Sequence, residues 1–294
     1  MQVQQEAAPG QVRGPTQVAQ QGLGQRVPGE ASQLGARHAI APFVALSVPG
    51  TAATTLPGSC HELSTALVTG ANKGIGWHIA RQLAEAGLTV LVGSRDPGRG
   101  AEAAARIGGD PARPLVLDVT DGAGIAAAAA GVERLDILVN NAGVMVDGAT
   151  APEASVESFR RTYETNVFGA LAVTNAFLPA LRRSAHPRIV NISSGTGSLG
   201  WSAGEEFPSA GGAAYRSSKA ALNALTIFYA RALPEFRVNA LAPGLRRTDL
   251  APRAASAAAG DPAEAAAAAV RLATLPDDGP TGGFYSWDGT PAAW

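Results

Sequence analysis

A short apolar run that passes through glycines into a helical repeat limits what this chain can fold into more than any other feature. Thr65 to Val68 is rich in β-branched and apolar residues, as buried strands are, and Ile75, Ile79 and Leu83 recur at helical spacing beyond the turn at Thr69-Gly70. In Gly70-Ala71-Asn72-Lys73-Gly74-Ile75-Gly76 the glycines can take backbone angles closed to other residues and let a diphosphate reach the main chain. Unpaired amides at the following helix N-terminus favour that negative charge. Glycines also mark ordinary tight turns, so a nucleotide site needs support from the rest of the chain.

Periodicity supplies the first support. Residues 89–92, 114–117, 135–139, 188–192 and 237–241 are further strand-like runs with helical patterns between them. One helix is expected to carry Phe159, Tyr163, Val167, Leu171 and Thr174 on a single face, and another Leu222, Leu225 and Tyr229 as far as Pro234. Strands alternating with helices predict an α/β fold, a doubly wound parallel sheet with helices on both faces. No linker interrupts the pattern, so residues 62–294 read as one domain. Residues 1–61 differ: Gln, Gly, Pro and Ala dominate without sustained periodicity, and disorder is expected there. Their apolar patch at 40–48 is broken by Pro42 and follows a long leader that is not basic, unlike a signal peptide.

Composition narrows the function classes. Of 294 residues 46% are hydrophobic, yet no run is long enough to span a membrane. A net charge of -1 gives nucleic acid and anionic lipid no electrostatic foothold. The single cysteine, Cys60, excludes an internal disulfide, and the four histidines lack metal-ligand spacing. The expected location is cytoplasmic, with a small molecule as partner and no metal.

In a parallel sheet of this kind ligands sit beyond the carboxyl ends of the strands, and informative residues cluster there. Asp118 follows the third run, Asn140-Asn141-Ala142-Gly143 the fourth, Ser193-Ser194 the fifth and Pro243-Gly244 the sixth. After the second run stands Ser94-Arg95, with Arg95 19 residues beyond Gly76. An acidic residue at that distance takes a ribose 2′-hydroxyl, whereas an arginine accommodates a 2′-phosphate. Ser94, Arg95 and Lys73 together predict NADP(H); Asp96 opposes this only if its carboxylate turns inward. Tyr215 and Lys219, four apart on a helix, share a face with Cβ atoms about 5–6 Å apart. A free tyrosine titrates near pH ~10, and lowering it by about three units takes roughly 4 kcal/mol of preference for phenolate. Lys219 and the positive ring of an oxidised nicotinamide can supply that together.

The segments Thr69-Gly70-Ala71-Asn72-Lys73-Gly74-Ile75-Gly76, Asn140-Asn141-Ala142-Gly143, Tyr215-Arg216-Ser217-Ser218-Lys219 and Pro243-Gly244 resemble, in order, the motif set of the short-chain dehydrogenase/reductase family. Asn72 to Gly76, Ser94-Arg95-Asp96 and the tail at 279–284 are most like its NADPH-dependent carbonyl reductase members. The resemblance implies a single Rossmann-type domain and hydride transfer between nicotinamide and a carbonyl or alcohol. It implies that Tyr215 is the general acid, that Lys219 holds the nicotinamide ribose hydroxyls, and that Ser194 hydrogen-bonds the substrate oxygen while Ser193 is structural. Asn166 matches the asparagine that positions a water in the proton relay. Asp118 and Val119 are implied to meet the adenine, Asn141, Ala142 and Gly143 to support the cofactor and sheet, and Thr248 to contact the carboxamide or phosphates.

One stretch departs from the family pattern. The 20 residues 195–214 between Ser194 and Tyr215 exceed the usual spacing, yet lack the long insertion of monomeric carbonyl reductases. Trp201 and Phe207 either line the substrate mouth or pin this loop. A homodimer or homotetramer through the Asn166 and Tyr215 helices is compatible with that length. The alanine-rich stretch 251–269 reads as a helix that can serve as a lid. Three functions compete: an NADPH-dependent reductase of ketones or aldehydes, or the reverse oxidation; a pathway-specific ketoreductase for a carrier-bound or polyketide substrate; and a non-catalytic NADP(H)-binding regulator. The intact tyrosine and lysine rank the enzymes above the regulator.

Overall fold

The computed structural model describes residues 64–250 and 259–294. The extension over residues 1–61, and residues 251–258 of the alanine-rich stretch, lie outside the described residues.

β1 (Thr65–Val68) suits the middle of a sheet because it is apolar on both sides: Ala66 and Val68 pack on one face and Leu67 on the other. The glycine turn leads to α1 (Gly74–Glu85), then β2 (Thr89–Ser94), α2 (Pro97–Ile107), β3 (Ala112–Val116), α3 (Gly122–Ala130) and β4 (Ile137–Asn140). After β4 come α4 (Val156–Tyr163), a π-helical segment (Glu164–Gly169) and α5 (Ala170–Leu181). β5 (Arg188–Ile192) passes through a 3-10 turn (Gly195–Gly197) and α6 (Leu199–Ala203) into α7 (Ala213–Ala232), followed by β6 (Arg237–Ala242), α8 (Pro262–Ala273) and β7 (Phe284–Ser286). The strands are all parallel, in the order β3-β2-β1-β4-β5-β6-β7. The order reverses between β1 and β4, which opens a crevice beyond the strand ends there.

Helices cover both faces, as expected. Leu83 of α1, Ala104 of α2 and Leu272 of α8 pack on one, and Ile125 of α3, Phe177 of α5 and Ala230 of α7 on the other. The elements differ from the sequence reading in several places. β3 starts two residues earlier than the run 114–117, because it is an edge strand whose exposed Arg113 and Pro114 blur the apolar pattern. β4 starts at Ile137 and not at 135, since the buried Asp136 carboxylate instead accepts the Thr65 amide at 2.8 Å. β7, three residues long behind Gly282-Gly283, carries too short a pattern to be read from sequence. α8 is a core helix and not a lid: Ala265, Ala266, Ala268, Ala269 and Leu272 are buried, and it packs along α1.

The expected stripe from Phe159 to Thr174 is also split. Val167 and Thr174 are buried as expected, but in α4 the buried residues are Ser158 and Thr162, in the π-helical segment Asn166, Val167 and Gly169, and in α5 Val173, Thr174, Phe177, Ala180 and Leu181. The wider π turn holds about one extra residue, so α5 resumes out of phase with α4.

Candidate active site

The strand ends from β1 to β6 border a cleft of about 620 Å³. At one end lies the glycine turn. Gly70 has φ +61°, and a Cβ there would meet Ala142 Cα at 3.0 Å. Gly76 is required for another reason than the backbone freedom expected: a Cβ there would run into Asn141 Nδ2 and lie 2.7 Å from the Gly70 carbonyl oxygen. Asn141 Nδ2 donates to the Thr69 and Gly70 carbonyls at 2.9 and 3.1 Å, while Thr69 Oγ1 accepts the Asn141 and Ala142 amides at 2.9 and 3.0 Å. The exit of β4 is thereby laced to the turn. α1 begins after Lys73 with no side-chain cap and no acidic residue in its first turn. Its positive end meets the cleft, which Asn72, Lys73, Gly74, Ile75 and Gly76 all line. Thr248 faces them from the far wall, its methyl 3.6 Å from where a Gly74 Cβ would stand.

Ser94 and Arg95 line the cleft at the exit of β2. Asp96 lines it too, but its carboxylate is turned onto α2 as the N-cap, accepting the Arg99 amide at 2.9 Å. Inward repulsion of a phosphate is removed in this way. Lys73 Nζ donates to Asp249 at 2.8 Å across the cleft mouth, and this bond holds Asp249 below the usual carboxylate range. At the exit of β3, Asp118 accepts the Thr120 amide and hydroxyl at 2.9 and 2.8 Å, and Val119 is buried beside it; both border the cleft.

α7 supplies the other end. Lys219 is 3% exposed, donates from Nζ to the Ile192 carbonyl at 2.8 Å, and lies 5.7 Å from the Tyr215 ring centroid. Burial brings Lys219 down to about 8, so it remains cationic at neutral pH. Burial pushes Tyr215 up to about 12, against a hydrogen bond with Ser194 that lowers it. Desolvation thus prevails over the Ser194 bond, and the expected lowering by Lys219 does not contribute in this structure. Gly143 lets these groups converge: a Cβ there would be 3.5 Å from Lys219 Nζ and 3.4 Å from Asn166 Oδ1.

The sequence matches a profile of the short chain dehydrogenase family over residues 64–258. The chain belongs to that family. It is 34% identical to salutaridine reductase of Papaver bracteatum, over 79% of this chain and 96% of that protein, and 36% identical to (-)-isopiperitenone reductase of Mentha piperita, over 76% and 96%. Among solved structures it is similar to NADPH-bound carbonyl reductase from chicken fatty liver, with TM-score 0.68 and 30% identity over 79% of this chain and all of that one.

Three residues expected at the site of this short-chain dehydrogenase do not line its cleft. Asn166 is 1% exposed; its amide accepts the Val144 amide at 2.8 Å and donates to the Val144 carbonyl at 2.9 Å and to Ser218 Oγ at 3.0 Å. Ser194 caps the 3-10 turn and pairs with Thr196 Oγ1 at 2.9 Å, reaching the cleft only through Tyr215. Ser193, its buried neighbour, does border the cleft and donates to Asn223 Oδ1 at 2.6 Å. Pro243 borders the cleft, whereas Gly244 turns away: its φ is +70°, and a Cβ there would lie 3.0 Å from the Trp287 ring. Trp201 and Phe207 pin the loop and do not line the cleft.

Sequence reasoning missed Arg99, Arg247, Met145 and Leu250, all on the cleft wall. Arg99 had a signal, since Asp96-Pro97 marks a helix start and places it one turn into α2 beside Arg95. The others sit on irregular segments without a readable pattern.

Proposed function

We propose that this dehydrogenase reduces a ketone or aldehyde with NADPH, or runs the reverse alcohol oxidation, in the cytoplasm. The observation that carries this reading is that the Tyr215 and Lys219 pair and the uncapped α1 N-terminus face one cleft, with Arg95 and Arg99 on its rim. The helix amides suit a diphosphate, and two arginines beside Ser94 suit a 2′-phosphate. Bound there, the nicotinamide supplies hydride to a carbonyl carbon. Tyr215 keeps its proton at neutral pH and gives it to the carbonyl oxygen, with Ser194 hydrogen-bonding that oxygen. Lys219 spends one donor on Ile192 and has two left for ribose hydroxyls. Asn166 has both Nδ2 hydrogens committed to Val144 and Ser218, so a relay water would be held by its backbone or by the second lone pair of Oδ1. The names of the relatives, reductases of salutaridine and isopiperitenone, support carbonyl reduction, and the NADPH-bound carbonyl reductase supports the cofactor. Assembly as a homodimer or homotetramer belongs to the same reading, because Phe168 and Phe228 stand 51% and 63% exposed on the Asn166 segment and on α7.

Titration of the purified protein with NADPH and NADH, followed by NADPH oxidation over a panel of ketones and aldehydes, tests it. Tighter NADPH than NADH binding and turnover of at least one carbonyl are expected. Tight binding without turnover of any carbonyl would sink the reductase reading and favour a carrier-bound substrate or a regulator.

A further inference from the structure

We infer that an aromatic layer behind the Ser194-Gly195 turn, made by Trp201, Phe207, Phe284 and Trp294, is a positioning element for the substrate carbonyl. The inference rests on the role proposed for Ser194. The four residues come from three separated stretches and meet in a chain of ring contacts: Trp201 lies 6.0 Å from Phe207 and 6.3 Å from Phe284, and Phe284 stacks on Trp294 at 5.3 Å. Its inner end presses on Gly195, where a Cβ would be 3.1 Å from both the Trp201 and Phe207 rings. Its outer end is tied by backbone, with the Trp294 carbonyl accepting the Gly200 amide at 2.8 Å and Ser198 Oγ at 3.4 Å. The strand-like return that delivers Trp294 is held by Ala292 donating to the Phe284 carbonyl at 2.8 Å.

None of the four lines the cleft, so they act through Ser194 and not on the substrate. Ser194 needs such a backing. Its side chain pairs with the neighbouring Thr196 and with Tyr215. The far side of the turn is tied to α7, where Asn223 Nδ2 donates to the Gly197 carbonyl at 3.3 Å, and the Gly195 side beside Ser194 is backed by Trp201 of α6 and by Phe207. Large rings with few rotatable bonds fix a surface at low entropic cost, and a shift of about 1 Å at a reacting group can cost roughly 100-fold in rate.

Trp294→Ala and Trp294→Phe in the full chain test this, using a carbonyl that the unmodified protein reduces. Trp294→Ala is expected to lower kcat about 10- to 100-fold while the Kd for NADPH changes less than twofold, and Trp294→Phe to recover most of the loss. Amide exchange of residues 195–200 should speed up in the alanine variant and not in the phenylalanine one. Unchanged kcat in Trp294→Ala, or a parallel loss of NADPH binding, overturns the inference even if Ser194→Ala abolishes turnover. If the unmodified protein reduces no carbonyl, the functional reading fails instead, and amide exchange alone decides whether the layer orders the turn.

Discussion

The two ends of the cleft are built by different means. At the nucleotide end the wall is main chain: a glycine turn, an uncapped helix start and the exits of β1 and β4, joined within one side chain's reach by Asn141 and Thr69. At the Tyr215 end the wall is side chains, from α7 and from irregular segments that carry Met145 and Leu250. Behind it the loop 195–214 leans on aromatic rings, and the segment after Pro243 is gripped by Arg246. That buried guanidinium donates to the Pro243 carbonyl at 2.7 Å and to Glu264 at 2.8 Å and lies 4.3 Å over the Trp287 ring, while the main chain on either side of it exchanges hydrogen bonds with Gly260. A wall of backbone groups binds what every dinucleotide shares. A wall of side chains on irregular segments can change its shape without disturbing the sheet, and on the proposed function selectivity for one carbonyl resides there.

The sharpest way to break this division is Tyr215→Phe. A lost general acid is expected to cost roughly 100- to 10,000-fold in kcat with the NADPH Kd nearly unchanged, as measured by steady-state rates and titration. Retained turnover means the acid is elsewhere. Gly76→Ala attacks the nucleotide end at its tightest packing, and forcing Asn141 aside is expected to cost about 1–3 kcal/mol, read as a lower thermal midpoint together with weakened NADPH and NADH binding alike. A variant that binds both cofactors normally would show that the lacing between β4 and the turn can be relaxed.

Arg95→Asp sharpens the comparison within one end. It should weaken NADPH about 10- to 100-fold relative to NADH, with Arg99→Ala giving a smaller loss of the same sign; equal effects on both cofactors remove the 2′-phosphate contact. The smallest effect is expected from pH. Lys219 is drawn down to about 8 while Tyr215 is pushed up to about 12, so between these values the lysine loses its proton and the tyrosine does not. The kcat/KM for reduction should therefore fall several-fold as pH rises through 8, and Lys219→Arg, which stays charged, should lose that limb. An unchanged limb in the arginine variant means another group sets it.

Most of the sheet was legible because strands buried on both faces are written as short apolar runs, and 188–192 has its expected limits to the residue. The cleft residues of the α1 end were legible because each group is local: Gly70 to Gly76 and Ser94-Arg95 are two short runs, each at the exit of one strand. The rest was hidden for physical reasons. Whether Trp201 faced the mouth or the turn depended on Phe284 and Trp294, more than 80 residues away, and no local pattern carries that. Arg246 offers no sign in sequence that it is buried, because its partners Glu264 and Trp287 belong to later elements. The tyrosine's upward shift likewise follows from burial by the assembled walls, which spacing within one helix does not report.

The π-helical segment has a consequence for how this enzyme can vary. α4 and α5 are one rod with a single surplus residue at its middle, and the surplus is what faces Asn166 toward Val144 and Ser218. Removing one residue between Glu164 and Gly169 would close the wide turn to a regular helix and keep both rows facing as they do but give up the placing of Asn166, whereas adding a further one would turn everything on one side of it by about 100° against the other. Either the Ser158 and Thr162 row or the Val173 and Phe177 row would then face water. Point substitutions in this stretch can therefore accumulate singly, whereas a longer segment must be matched by repacking a whole helix and a shorter one loses the Asn166 contacts, which makes the count of residues here harder to alter than their identity.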